Sequence, residues 1–351
     1  MTAQTPFPPL PPGHPPVQRR KTGILLINLG TPEGTSYWPM RAYLKEFLSD
    51  RRVIEVNPAL WWFILHGVIL MFRPSKSGHA YASIWNQERN ESPLKTFTRA
   101  QAEKLAGLAP GDIIVDWAMR YGKPAIAERL NTLRDAGCDR ILLFTLYPQY
   151  SAATTATALD KAYLALKDMR WQPAIRTVPP YFDNPDYIDA IADSLKSCLA
   201  NLAWKPDRIL VAFHGLPREY LDKGDPYHCH CQKTARLLRE KMGSGAHDMQ
   251  LVFQSRFGRA EWLRPYAMDV VEELPQQGVK NLLMISPGFA SDCVETLEEL
   301  AIGLRETFTK NGGKNFAVVP CLNDSAGSVR LLTRLAGNEL KGWVPDFPIS
   351  L

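Results

Sequence analysis

Six short, nearly continuous apolar runs punctuate the chain, each closed by a polar or glycine-bearing segment. They are Gly23 to Asn28, Asp112 to Met119, Arg140 to Leu146, Arg208 to Phe213, Met249 to Gln254 and Asn281 to Ile285. Runs of this length predict strands buried on both faces. Helical patterns stand between them at Met40 to Leu48, Ala125 to Ala136, Thr155 to Met169, Asp186 to Leu202 and Thr234 to Lys241. Strand alternating with helix predicts an α/β fold of parallel sheets with right-handed crossovers. The alternation restarts after Pro179-Pro-Tyr-Phe-Asp-Asn-Pro185, so two similar halves are expected, residues 21–180 and 181–320. Residues 1–20 are Pro-rich and predict a disordered tail. Residues 321–351 predict a helix packing back on the first half, then a tail.

One segment breaks the pattern. Pro58 to Phe72 is apolar on every side, with paired tryptophans and trailing Arg73 and Lys76. It is too short to span a bilayer. It is therefore either a core helix or a surface helix that dips into an interface, a lip covering about residues 58–85.

The 351 residues, 45% hydrophobic and 22% charged, have an ordinary globular profile. A net charge of +5 without a dense Lys/Arg block argues for mild attraction to anionic surfaces and against nucleic acid. The six cysteines, with no signal-peptide pattern near the start, suit a reducing cytoplasm. The loop after the first strand has no G-x-G-x-x-G and no Walker lysine, which counts against a nucleotide.

Chemistry concentrates at the strand ends of the second half, where ligands gather in open α/β sheets. His214 stands at the tip of a buried strand. A lone histidine is most often structural, but at this place it is a better candidate acid, base or ligand. The loop from Gln254 to Pro265 interleaves Arg256, Arg259 and Arg264 with Phe257 and Trp262, cations for anionic groups and aromatic faces for a flat apolar body. After the last strand comes an acidic helix. If Ser291 or Asp292 caps it, Asp292, Glu295 and Glu299 fall at i, i+3 and i+7 on one face, with Glu298 beside them. Such a face could hold a hard cation or pass protons, although Asp292 with Glu295 also fits a plain capping box. His228-Cys-His-Cys231 has the look of a metal site, yet C-x-C lacks knuckle spacing and no second Cys/His pair follows.

Seven motifs, in order, carry a resemblance. Leu26-Ile-Asn-Leu-Gly-Thr-Pro32, Met119-Arg-Tyr121, Tyr147-Pro-Gln-Tyr150, Phe213-His-Gly-Leu-Pro217, Gly224-Asp-Pro-Tyr227, Gln254-Ser-Arg-Phe-Gly258 and Ser291-Asp-Cys-Val-Glu-Thr-Leu-Glu-Glu299 together resemble the ferrochelatase family, bacterial type, over residues 21 to 340. The resemblance implies two Rossmann-like halves with a cleft between them. It also implies insertion of ferrous iron into protoporphyrin IX with release of two protons, the last step of heme synthesis.

Carried over residue by residue, the resemblance makes His214 and Glu295 the catalytic pair and the metal-contacting groups. Asp292, Glu298 and Glu299 become a proton or metal path, and Leu29, Arg120, Tyr121 and Trp262 the grip on the macrocycle and its propionates. The segment 58–72 becomes a lip facing a membrane, with the enzyme peripheral on its inner, cytoplasmic face. Cys293 departs from animal members, which have His there, and Ala152 stands where they have a cluster-ligating Cys. A [2Fe-2S] cluster is therefore not favoured, an arrangement through Cys229 and Cys231 being the remaining alternative. Rival readings are a coproporphyrin or cobalt chelatase of the same fold, or a non-enzymatic tetrapyrrole or metal carrier. The long apolar lip favours the more hydrophobic protoporphyrin.

Overall fold

A computed structural model describes residues 11–14, 20–243, 248–258, 260–345 and 347–348. Most of the Pro-rich tail, and Arg259 in the cationic loop, lie outside the described residues.

The apolar runs form two four-stranded, wholly parallel sheets. The first contains β1 (Lys21–Gly30), β2 (Ile113–Tyr121), β3 (Cys138–Thr145) and β4 (Ala174–Thr177) in the order β2-β1-β3-β4. The second contains β5 (Arg208–His214), β6 (Met249–Gln254), β7 (Asn281–Ile285) and β8 (Asn315–Val318) in the order β6-β5-β7-β8. Burial on both faces explains the absence of alternation. In β1, Leu25 and Ile27 pack under α5 (Ile126–Asp135) and α6 (Thr157–Lys167). Ile24 and Leu26 face the other way, into a cluster that also takes Val211, Phe213 and Leu283 from the second sheet. Helices α7 (Pro185–Asn201) and α12 (Ala326–Leu340) fill that cluster, so the sheets share one core.

Helix α12 follows the second sheet yet packs on α4 (Pro93–Leu108), α7 and β3. Arg140 and Arg176 of the first sheet donate to carbonyls just beyond it, those of Trp343 and Lys341, at 3.1 and 2.9 Å.

Several elements differ from their sequence expectations. β2 runs through Arg120 and Tyr121, which were expected in the following loop, because it pairs with β1 as far as Gly30. β4 and β8 escape the pattern because four half-exposed residues make no apolar run. Helix α9 (Tyr227–Met242) starts seven residues before the periodic stretch at Thr234 and takes up the whole His-Cys-His-Cys segment.

The apolar segment is a broken helix with an exposed face. It comprises α2 (Pro58–Ile64), a π-turn at Leu65–Ile69 and α3 (Leu70–Ala82). Leu65 and Leu70 are buried, whereas Trp62, Phe63, Met71 and Phe72 are 55–72% exposed. Pro74 cannot donate to the Leu70 carbonyl, and the Tyr37 hydroxyl does so instead at 2.9 Å. Gly78 lets α3 settle against the loop after β1, since a Cβ there would lie 2.3 Å from the Thr35 carbonyl oxygen. One face of this segment is thus packed in the cluster with Met40, Tyr43 and Leu44 of α1 (Tyr37–Leu48), and the other is exposed.

The halves are also clasped. Asp225 accepts from Ser151 Oγ, the Ala152 amide and the Tyr227 amide at 2.9, 2.8 and 3.0 Å, so a residue of the second half caps a π-turn of the first. Beside it, the Tyr150 amide donates to Nδ1 of His230 at 3.1 Å, and Phe182 stacks on the same ring at 3.6 Å. Burial pushes the His230 pKa down, against the pull of Asp183 and Asp225. An accepting Nδ1 requires the neutral ring. The unfolded chain therefore takes the proton first, and this bond's contribution is complete above about pH 6.5 and fades as pH falls toward the lower folded value. Thermal unfolding of His230→Gln should show a lower Tm than wild type at pH 8 but a smaller further loss at pH 5.5. An equal loss in both proteins would remove His230 from the clasp.

Candidate active site

The site begins with the register of β5 and β6, which places the last residue of each, His214 and Gln254, side by side. Nδ1 of His214 lies 2.6 Å from the Gly215 carbonyl oxygen. A carbonyl only accepts, so Nδ1 carries the proton and Nε2 of the neutral ring keeps a free lone pair. Gly215 is required here: a Cβ would sit 2.8 Å from the Gln254 carbonyl oxygen and 3.1 Å from the Trp262 ring. Trp262, buried, stands 6.5 Å from the His214 ring at 45° and backs it.

The facing wall is helical, but it is a π-helix, Glu295–Leu304, entered at Val294. Its i→i+5 bonding widens each turn, so the expected i, i+3, i+7 line does not form. Glu295 and Glu299 point to the same neighbourhood instead. Asp292 precedes the helix and its carboxylate is engaged elsewhere, accepting from Thr296 Oγ1 at 2.9 Å, Asn323 Nδ2 at 2.7 Å and the Cys321 amide at 3.4 Å. It pins the helix entry to the segment leading into α12. Glu298 is half-buried.

Glu299 is the most constrained of the four. Ser255 donates its amide to one carboxylate oxygen at 2.7 Å and its hydroxyl to the other at 2.5 Å, and Gln254 Nε2 adds a 3.4 Å contact. Burial raises the Glu299 pKa. The Ser255 bond and the His214 ring oppose that rise, and Glu295 adds to it. Both His214 and Glu295 thus stand close enough to Glu299 to bias its charge. From the first half, Tyr43 and Tyr81, their rings 6.3 Å apart, both feel the Glu295 charge. Val294 packs against their cluster, which ties helix α1 (Tyr37–Leu48) and α3 to this wall.

The residues expected to grip a macrocycle are differently employed. Arg120 donates through Nε to Thr157 Oγ1 at 2.7 Å and pairs with the Asp50 carboxylate. It lies 4.2 Å over the Tyr121 ring, whose hydroxyl donates to Asp50 at 2.8 Å. Burial opposes the charge on Asp50. Bonds from Thr157, Arg52 and Tyr121, with the Arg120 charge, outweigh it and hold the carboxyl below its usual range. In this arrangement Arg120 is not free to hold a propionate, and the fully buried Tyr121 braces the pair from beneath. Leu29, half-buried at the end of β1, joins the α5/α6 core to the cluster beneath the lip.

Asp50, Gln254 and Ser255 were not singled out by sequence. Their polar side chains carry no periodic signal, and only the fold shows what they hold.

The His-Cys-His-Cys segment forms the first turns of α9. On one helix its side chains diverge: Cys231 is fully buried in the shared core, Cys229 is exposed, and His230 belongs to the clasp. A cluster held through Cys229 and Cys231 does not fit this arrangement. Among the described residues, no group of three or more His, Cys, Asp or Glu is placed to hold a metal ion.

A profile of the ferrochelatase family matches residues 21–340. The chain belongs to the ferrochelatase family. It is 55% identical over 337 residues to a protein named ferrochelatase from Agrobacterium fabrum, covering 95% of this chain and 98% of that one. Over 333 residues it is 56% identical to one of the same name from Rhizobium meliloti, covering 94% and 98%. Among solved structures, SirB from Bacillus subtilis with Fe3+ aligns with a TM-score of 0.55 at 12% identity, over 93% of this chain and 99% of that one. The cobalt complex of the sirohydrochlorin chelatase SirB from Bacillus subtilis subspecies spizizenii aligns at 0.54 and 10%, over 93% and 99%. At such identities the likeness is one of fold, the two-sheet chelatase architecture. A ferrochelatase is a metal chelatase, a lyase.

Burial pushes the thiols of Cys231, Cys293 and Cys321 well above the ordinary range. A thiol reagent on the native protein should therefore label exposed Cys229 and leave these three unmodified until denaturant is added. Mass mapping of the labelled peptides checks it, and early labelling of Cys231 would show that α9 does not hold it in the core.

Proposed function

We propose that this cleft inserts ferrous iron into protoporphyrin IX, completing heme synthesis, with His214 and Glu295 as the groups that act on the reacting centre. What carries the assignment of roles is the tautomer of His214. Its Nδ1 proton is held by the Gly215 carbonyl, so Nε2 is a ready acceptor with carboxylates close by.

Metallation requires two pyrrole N–H protons to leave as the metal enters. Nε2 of His214 takes a pyrrole proton, and Glu295 offers oxygen to the ferrous substrate or takes the second proton. Glu299 and Glu298, farther along the helix, are the next groups able to receive a proton. Asp292 serves this path by fixing the helix entry. Trp262 and Leu29 shape the apolar walls, and the Arg120–Asp50–Tyr121 set holds the floor rigid. The dividing line between the halves falls between residues 180 and 181, in the segment that joins β4 to α7.

The lip is the side from which an apolar ring arrives. Its exposed aromatics form a contiguous apolar face backed by Arg73, which lies 5.4 Å over Phe257 of the opposite half. Such a face suits peripheral contact with the inner surface of a membrane. No helix among the described residues is long and apolar enough to cross one. The same face favours protoporphyrin over the four-carboxylate coproporphyrin. Parallel assays of ferrous iron and cobalt insertion into both porphyrins would separate these readings from each other and from a carrier, which would bind but not metallate.

His214→Ala should lower kcat by roughly 10²–10⁴-fold while porphyrin quenching titrations still show binding. Retention of a tenth or more of kcat would remove it from the chemistry. Glu295→Gln keeps the side chain's shape, so kcat should fall steeply with Tm almost unmoved. A fully active Glu295→Gln would mean that the carboxylate serves the helix alone, a helix-end charge being worth about 0.3–1 kcal/mol. Replacing Trp61, Trp62 and Phe63 by Ser should weaken co-sedimentation with anionic liposomes and raise the KM for porphyrin; unchanged co-sedimentation would detach the lip from any membrane role.

A further inference from the structure

The Gln254-Ser-Arg-Phe-Gly258 segment reads in the sequence as cations and aromatic faces, and its two leading polar residues have no part in that reading. In the fold both donate to the Glu299 carboxylate, Ser255 through its amide and hydroxyl and Gln254 through Nε2.

Ser255 sits at φ = 65°. A residue with a Cβ adopts this region only when the surroundings impose it. The other two non-glycine residues at positive φ among the described ones are Asn90 and Asn323, and asparagine tolerates that region, so Ser255 is the exception. The left-handed turn aims both its amide and its hydroxyl at the two oxygens of one carboxylate. Backbone strain that converges two donors on a single group marks a positioning device.

Gln254 completes it. It is 2% exposed and paired in register with His214. Its Nε2 reaches the Glu295 carbonyl at 3.0 Å as well as Glu299, while its Oε1 is buried without a partner. One amide therefore ties β6, the strand beside that of His214, to the first turn of the π-helix. Behind this contact lies a cavity of about 310 Å3, lined by Gln254, Ser255 and Glu299 and, farther out, by Arg256, Met268 and Asp269. Without the two donors Glu299 has room to turn away from His214 into that space.

We propose that Ser255 and Gln254 are positioning residues for metal insertion, holding Glu299 and the first turn of the π-helix against His214. The proposal rests on the reading of His214 as the acting base. Ferrous iron insertion into protoporphyrin by the full chain tests it, using Ser255→Gly, which keeps the amide and the turn but removes the hydroxyl, and Gln254→Met, which keeps length and removes both polar atoms. Each should lower kcat about tenfold or more, the scale of one hydrogen bond to a charged group, with the porphyrin KM within twofold of wild type. Ser255→Asn, which tolerates positive φ and still donates, should recover part of the loss and stands in if the glycine variant does not fold. In a Glu299→Ala background, Ser255→Gly should cost less than a further twofold, because its partner is already gone. Full activity of Ser255→Gly and Gln254→Met, or an undiminished loss in the Glu299→Ala background, would overturn the proposal. If His214→Ala is inactive in the same assay while Ser255→Gly is fully active, this inference alone fails; if His214→Ala is active, the reading beneath it fails too.

Discussion

Keeping carboxylates beside an imidazole in a cleft shaped for a flat apolar ring is the constraint on which the rest of the structure depends. Burial disfavours the charged form of a carboxylate, and a buried charge persists only where donors or an opposite charge offset the loss of water. Here the donors come from strand ends. Parallel sheets bring several carboxyl ends to one edge, so β5 delivers His214, β6 delivers Gln254 and Ser255, and the segment after β7 delivers the π-helix. A histidine with its Nδ1 proton fixed and a glutamate with both oxygens held are two outcomes of that one arrangement.

The first half meets the same constraint with different means. Asp50 is kept ionised by three donors and the Arg120 guanidinium. Since Arg120 stacks on Tyr121 and Tyr121 donates back to Asp50, removing any one leaves a buried polar group unpaired, which costs more than the bond itself contributes. This network of the first half is therefore stiff. Across the halves, Asp225 at the π-turn and Gln101, whose amide donates to the Asn323 carbonyl at 2.6 Å, join the second half to the first by polar contacts to backbone. These contacts have defined geometry and limit how far the cleft walls slide.

The sheets were legible in sequence because strands buried on both faces write themselves as unbroken apolar runs. Met249–Gln254 and Asn281–Ile285 fall where the pattern put them. The edge strands were not legible, since half-exposed four-residue segments look like loop. Within the site, His214 and the acidic segment stood out because polar residues after an apolar run are conspicuous. The period of the acidic helix was misjudged: Thr296, Leu300 and Leu304 are buried at intervals of four, which fits an α-helix as well, so nothing in the pattern marks the wider turn. The His-Cys-His-Cys segment had the look of a metal site but lacked ligand spacing, and the helix bears out that doubt about its geometry. Proximity along a chain suggests a shared ligand, but on a helix neighbouring residues diverge.

The two walls of the cleft have opposite chemical character, and this bears on how the proposed reaction is kept orderly. A hydrated divalent ion is poorly accommodated among Trp62, Phe63 and Phe72, and a large apolar ring gains nothing from a lane between Glu295 and Glu299. Substrates of such different hydration are then sorted before they meet. In the proposed reaction the ring would lie toward the apolar lip, while metal and released protons would be handled on the acidic side. His214 stands by the acidic side, backed by Trp262. On the helix Glu295 and Glu299, four residues apart, stay close enough to bias one another, and Glu299 also feels the imidazole.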